Sequence, residues 1–291
     1  MKNFRGTGTA LVTPFNPDFT IDFDGLKKLV QLQIDGGIDF LVVQGTTGES
    51  PVLSADEKRK VLETVLEANN GKLPVVYGAG GNDTMKVIEA VKQIPQGVDG
   101  ILSVSPYYNK PIQEGIFQHY KAVAGNTDLP IILYNVPGRT GSNVLAETTL
   151  RLSEIKNIVA MKEASGNMEQ IMEIIRSKPE GFEVLSGDDA LTLPLIAAGA
   201  AGVISVVGQA YPEKFTAMVN AALRNDYETA RKFHYELLPV TKMFFAEGNP
   251  GGIKVALEAR KILKNILRLP LVPVSEQLKN DIIAETKKIT G

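Results

Sequence analysis

Eight short apolar runs recur through the first two-thirds of the chain, and they constrain its fold more than any other feature. They are GTALVTPF (8–15), DFLVVQGT (39–46), PVVYGAG (74–80), GILSVSP (100–106), PIILYNV (130–136), IVAMKEAS (158–165), FEVLSGD (182–188) and GVISVVG (202–208). Each is rich in Val, Ile or Leu, and few alternate strictly with polar residues, as expected of strands buried on both faces. Most end in Gly, Pro, Thr, Ser or Asn, residues that punctuate strand ends.

Helical patterns fill the intervals. Residues 54–70 open on Ser54 with Glu57 three positions on, a capping-box arrangement, and Val61, Leu62, Val65 and Leu66 recur at helical spacing. Segments 24–34, 83–94, 112–124, 167–176 and 212–224 read the same way, whereas the intervals after the fifth and seventh runs are less regular. This succession predicts an α/β fold, a (β/α)8 TIM barrel. A doubly wound open sheet shares the alternation, since strand count alone does not prove closure, but eight βα units favour the barrel. Beyond residue 224 the strand pattern stops. Residues 226–248, 252–267 and 275–288 read as helices separated by Pro250-Gly251-Gly252 and the LPLVPV stretch. Residues 1–224 are expected to form the barrel and carry the active site, with 225–291 a C-terminal helical region packed on it.

The 291 residues suit one such barrel with an appendage. A formal net charge of −2, with acids and bases interspersed, gives no basic footprint for nucleic acid or an anionic membrane. The absence of cysteine excludes disulfides, thiolate metal sites and thiol nucleophiles. The opening MKNFRGTGTALVTPF lacks the apolar core of a secretory signal. No apolar run approaches the roughly 20 residues that span a bilayer, so the expected location is the cytoplasm.

In barrels of this kind the reactive residues gather where strands end and βα loops begin. Standing there are Thr46, Thr47 and Glu49; Tyr107, Tyr108 and Asn109; Tyr134, Asn135 and Arg139; Lys162 and Glu163; Gly187, Asp188 and Asp189; and Ser205. Lys162 is the unusual member, because it follows Ile158, Val159, Ala160 and Met161 within an apolar run. Burial disfavours an ammonium, and a neutral amine is the form that attacks a ketone to make an imine. The competing reading is a salt bridge to Glu163, Asp188 or Asp189, and the lysine by itself does not decide between them. Tyr134 closes the neighbouring run, where its phenol could pass a proton if the hydroxyls of Thr46 and Tyr108 relay it, or could simply pack. Arg139, in the loop Gly138-Arg139-Thr140-Gly141, suits a carboxylate clamp or a loop-stabilising ion pair. Other signals are weaker. GAGGN (78–82) has neither dinucleotide-binding nor P-loop spacing and reads as a tight turn. Asp188 and Asp189 lack a histidine partner, and His119 and His234 each stand alone in a helical pattern. Met243-Phe244-Phe245 reads as core or interface.

Five ordered motifs, GTTGES at 45–50, SPYYNKP at 105–111, YNVPGRTG at 134–141, MKEASG at 161–166 and SGDD at 186–189, carry a resemblance that runs essentially end to end. The chain resembles the dihydrodipicolinate synthase family, in the superfamily that also holds N-acetylneuraminate lyase. The resemblance implies a (β/α)8 barrel with a C-terminal helical region, and Lys162 as the residue forming a Schiff base with pyruvate. It implies that Tyr134 shuttles protons and that Thr46 links it to a Tyr108 contributed across a tight-dimer interface. It further implies Thr47 on the pyruvate carboxylate, Gly187 and Ile204 lining the site, and Arg139 holding the carboxylate of L-aspartate 4-semialdehyde. The product would be 4-hydroxy-tetrahydrodipicolinate, at the committed step toward lysine and diaminopimelate. No cofactor or metal is implied, since the iminium supplies the positive charge.

Sialic-acid lyases share the strand-two GxTGE, the tyrosine and the lysine, but generally lack the arginine matching Arg139. The alternatives are a lyase of N-acetylneuraminate or a 2-keto-3-deoxy sugar acid and, in a different class, a non-catalytic ligand-binding barrel. The resemblance also implies a homo-oligomer, a tetramer built as a dimer of tight dimers. Its candidate allosteric cleft would include Ser50, Lys58, Asn82, Lys86 and Tyr107. Lys58 and Lys86 stand where lysine-sensitive members carry a histidine or similar residue and a glutamate. A like charge would then face the effector's ammonium, so inhibition by L-lysine is expected to be weak or absent.

Overall fold

The computed structural model describes residues 4–291. Eight parallel strands close into a barrel in sequence order. They are β1 (Gly6–Ala10), β2 (Phe40–Val43), β3 (Val75–Gly78), β4 (Gly100–Val104), β5 (Ile131–Asn135), β6 (Ile158–Glu163), β7 (Glu183–Ser186) and β8 (Gly202–Ser205). Closure is made by Gly6–Thr9 of β1 pairing with Gly202–Ser205 of β8. This removes the open-sheet alternative.

The strands are buried on both faces. Ala10, Phe40, Val42, Val76, Leu102, Ile132, Ala160, Leu185 and Ile204 fill the barrel interior. Leu41, Val43, Ile101, Leu133, Met161 and Val184 point outward under the helices. Burial on both faces removes the need for polar alternation, which is why most runs read as continuous, although β1 buries Thr7 and Thr9.

The helical layer comprises α1 (Phe23–Asp35), α2 (Ala55–Asn69), α3 (Thr84–Lys92), α4 (Gln113–Ala124), α5 (Pro137–Thr140), α6 (Ala146–Ser153), α7 (Met168–Ser177), α8 (Thr192–Ala197) and α9 (Pro212–Leu223). The capping box predicted at Ser54 and Glu57 is present in both directions. The irregular intervals have a physical cause. After β5 the chain makes only the four-residue α5 before turning into α6, and after β7 a 3-10 turn at Asp189–Leu191 precedes the short α8. Elements this short do not establish a helical period.

Three helices follow: α10 (Tyr227–Ala246), α11 (Gly251–Ala259) and α12 (Glu276–Thr290). The helix expected over 252–267 is corrected here. It begins at Gly251 and stops at Ala259, and Lys261 takes a left-handed backbone at φ 60°. Gly252 lies inside α11 instead of separating helices. A Cβ there would meet the Cα of Phe244 at 2.6 Å, so glycine lets α11 pack directly on α10. The region is fastened to the barrel by the Tyr211–Thr286 hydroxyl contact at 2.8 Å and by a fully buried Lys254–Glu49 ion pair at 2.5 Å.

Candidate active site

The ends of β5 and β6 bring the two central side chains together. Tyr134 is the register partner of Lys162, and both sit on the inward-facing positions of their strands. Lys162 is 6% exposed, and its Nζ lies 4.3 Å from the centroid of the Tyr134 ring. The carboxylates offered as salt-bridge partners are engaged elsewhere. Glu163 points outward and accepts from Asn135 Nδ2 at 3.1 Å, Ser165 N at 2.8 Å and Gln170 Nε2 at 3.2 Å. Asp188 caps the following turn through Ala190 N, while Asp189 accepts from the Ser205 hydroxyl and, at 3.1 Å, from Val206 N. Burial pushes the Glu163 carboxyl up from the ordinary range, and it pushes Asp189 up to about 6.

Gly187 makes room for the lysine. A Cβ at this position would lie 2.7 Å from Ala164 Cβ and 3.1 Å from Lys162 Cε. Its N–H is fixed on the Glu163 carbonyl at 2.7 Å, so the backbone cannot easily withdraw. Ile204, 1% exposed near the end of β8, packs in the same inner cluster as Tyr134.

The turn after β2 is a 3-10 turn, Thr46–Gly48, ending on Glu49 in a left-handed backbone at φ 53°. Thr46 is half-buried, and Thr47 is buried with its hydroxyl accepting from Asn249 Nδ2 at 2.9 Å. Arg139 stands exposed on α5, and among the described residues no acid pairs with it. Tyr108, with φ 72° and 88% exposure, stands in solvent beside the α5 turn, its N–H reaching Thr140 O at 3.3 Å. Among the described residues no hydrogen bond joins the side chains of Thr46, Tyr134 and Tyr108 within the single chain. Tyr107, Met85, Ile112 and Leu145 are likewise exposed.

The residues matched to an allosteric cleft lie outside this centre. Ser50 starts a turn, Lys58 is on α2, Asn82 precedes α3, and Lys86 is exposed and 3.9 Å from Asp83. Burial lowers the Lys58 amine from its ordinary value. A hollow of about 580 Å³ lined by Phe4, Lys156, Phe182 and Glu183 opens at the opposite, N-terminal end of the strands. Barrel chemistry belongs to the C-terminal end, where the polar side chains converge.

Sequence reasoning missed Asn249 and Lys254. Lys254 carried a usable signal, since Ile253, Val255, Ala256 and Leu257 surround it as apolar residues surround Lys162. Asn249 carried none, because a polar residue before Pro-Gly-Gly reads as a loop.

Known proteins extend this picture. The model of the dihydrodipicolinate synthetase family matches residues 3–289. A curated 4-hydroxy-tetrahydrodipicolinate synthase of Flavobacterium psychrophilum is 51% identical over 292 residues, covering 100% of each chain. The solved dihydrodipicolinate synthase of Thermotoga maritima superposes with a TM-score of 0.96 at 43% identity, covering 99% of both chains. A structure described as the first monomeric dihydrodipicolinate synthase variant gives 0.94 at 43% identity, over 98% of this chain and 97% of that one. The barrel, the lysine–tyrosine pair on β5 and β6 and these full-length likenesses agree, and the chain belongs to the dihydrodipicolinate synthetase family.

Proposed function

We propose that the protein is a lyase that condenses pyruvate with L-aspartate 4-semialdehyde to give 4-hydroxy-tetrahydrodipicolinate. The observation that carries this reading is Lys162: buried at the C-terminal end of β6, facing Tyr134, and among the described residues paired with no carboxylate. The Lys162 amine adds to the pyruvate ketone carbon, and loss of water leaves a protonated imine. The cationic nitrogen draws electrons from the methyl group, which loses a proton to give the enamine. The enamine carbon attacks the aldehyde. The amine of the second substrate then adds to the imine carbon, expels Lys162 and closes the ring.

In this reading Tyr134, with Thr46 and Tyr108, moves the protons. Thr47 binds the pyruvate carboxylate, and Gly187 and Ile204 line the pocket. The exposed Arg139 suits the carboxylate of the incoming aldehyde, because a guanidinium binds carboxylates bidentately. Tyr108 stands too exposed in one chain to act there, which supports its donation to a second copy. The assembly proposed is a dimer of tight dimers, and sedimentation separates this from a monomer. Residues 1–224 act as the barrel unit and 225–291 as a helical region docked on it. Among the described residues no helix is long and apolar enough to cross a membrane, and the proposed location is the cytoplasm. Lys58 and Lys86 argue for weak or absent inhibition by L-lysine. Strong inhibition at low millimolar L-lysine contradicts that.

A coupled assay with pyruvate and L-aspartate 4-semialdehyde tests the substrate assignment. Turnover is expected with this aldehyde. Cleavage of N-acetylneuraminate without it would place the chain among the sugar-acid lyases, and pyruvate binding without product would mark a non-catalytic barrel.

A further inference from the structure

The turn bearing Thr46 and Thr47 is held from outside the barrel strands. Thr13 Oγ1 donates to Gly48 O at 2.7 Å. Asn249 Nδ2 donates to Thr47 Oγ1 at 2.9 Å. Glu49, wholly buried, accepts from Lys254 Nζ at 2.5 Å and from Arg268 N at 3.1 Å. Lys254 also donates to Ile266 O at 2.7 Å, and its Nζ lies 4.4 Å from the Phe15 ring centroid. The C-terminal region thus supplies three contacts to a turn it is not connected to in sequence.

A threonine hydroxyl has one hydrogen to donate and two lone pairs to accept with. When Asn249 fills one lone pair, the hydroxyl hydrogen is directed away from Asn249. Among the described residues nothing accepts that hydrogen. Asn249 is itself 8% exposed, and its Oδ1 is buried without a protein partner among the described residues. Burial strengthens each polar contact that is made and penalises each misplaced one.

We infer that Asn249 is a positioning residue for pyruvate binding: by donating to the Thr47 hydroxyl it commits the Thr47 hydrogen to the substrate carboxylate, with the Glu49–Lys254 pair anchoring the turn. This rests on the reading of Thr47 as the carboxylate ligand. Asn249 touches no substrate atom in it. The carboxamide oxygen of Asn249 could serve a threonine hydrogen equally well in isolation, but that would leave the hydroxyl spent inside the protein. Asn249→Asp imposes that state. The carboxylate is the same size, takes the Thr47 hydrogen, and adds a negative charge behind the site that receives an anion.

The test is borohydride trapping of the pyruvate adduct, titrated against pyruvate and read by intact mass. It is applied to the full-length protein and to Asn249→Asp, Asn249→Ser and Thr47→Val. In Asn249→Asp, half-maximal trapping is expected to need at least about tenfold more pyruvate, because a lost and reversed hydrogen bond is combined with like charge. Asn249→Ser, which keeps a small donor, is expected to shift it by less. In the Thr47→Val background, Asn249→Ser is expected to add no further shift, because the two residues act as one unit. The KM for L-aspartate 4-semialdehyde is expected to stay within about twofold, whereas a merely structural role would change both substrates together. An unchanged half-saturation in Asn249→Asp, or additive effects of Thr47→Val and Asn249→Ser, overturns the inference and leaves the Schiff-base reading standing. Absence of any adduct in the unaltered chain removes that reading and this inference with it. If Asn249→Asp does not fold, the Asn249→Ser and Thr47→Val pair decides the question.

Discussion

At the residue scale, the position of Lys162 depends on what its neighbours leave empty. Gly187 is the clearest case, with the space for a side chain already filled by Ala164 and by Lys162 itself. Gly187→Ala is expected to displace the Lys162 tip and to lower kcat/KM on the order of 10²-fold, as misplacement of a reacting group by about 1 Å does. Steady-state kinetics against the unaltered protein check this, and a variant with normal kcat/KM would mean that the lysine tolerates the crowding. His119 shows the opposite use of burial. Its Nδ1 meets the Thr84 hydroxyl at 2.9 Å, its Nε2 is buried without a partner, and burial pushes its pKa down to about 4. The unfolded chain binds a proton at this ring below about 6.5, whereas the folded chain resists until about 4. Stability contributed by the neutral ring is therefore present above 6.5, falls with pH across that window, and is flat below it. His119→Asn is expected to lose on the order of 2 kcal/mol less between these pH values. Urea unfolding at several pH values measures this, and an unchanged slope would show that other groups set it.

At the scale of elements, a buried ion pair between the β2 turn and α11 fastens the C-terminal region to that turn. Burial lowers the Lys254 amine while the Glu49 carboxylate opposes that shift. Removing one member leaves the other charged and dry, which costs about 3–5 kcal/mol, whereas replacing both with neutral groups of similar volume costs much less. Lys254→Met alone is expected to be the more destabilised variant, and Glu49→Gln with Lys254→Met the milder one. Denaturant unfolding compares them, and equal destabilisation would contradict the coupling.

The same elements mark how far the fold was legible in the sequence. All eight strands were legible, because runs such as PIILYNV and GVISVVG have two buried faces and clear turn residues at their ends. The long helices were legible from period and caps, as at Ser54 and Glu57. What escaped was set by tertiary contact: α11 stopping at Ala259, Gly252 packed under Phe244, and Lys254 reaching across to Glu49. Lys162 and Tyr134 could be named because a polar residue closes an apolar strand, and the structure places them together. Their roles, and those of Thr46, Thr47 and Tyr108, come from resemblance, since no local pattern distinguishes a relay hydroxyl from a capping one.

At the scale of the whole molecule, one chain leaves large side chains uncovered beside α5. Tyr108 and Ile112 are largely in solvent, 88% and 78% exposed, on the face that carries Arg139. If Tyr108 serves a second copy's site, two inactive variants should complement each other. Lys162→Ala and Tyr108→Phe chains, dissociated, mixed and reassociated, form a hybrid dimer in which one site has both an intact lysine and an intact tyrosine. Recovered activity in the mixture is expected, and none is expected from either variant alone. A mixture that stays inactive would place the whole relay within one chain.

The most direct measurement is covalent. Incubation with pyruvate followed by borohydride reduction is predicted to add one reduced pyruvate per chain. Peptide mapping should locate the adduct on Lys162, and Lys162→Ala should show neither adduct nor turnover. An adduct on another lysine, or normal turnover by Lys162→Ala, would contradict the Schiff-base account.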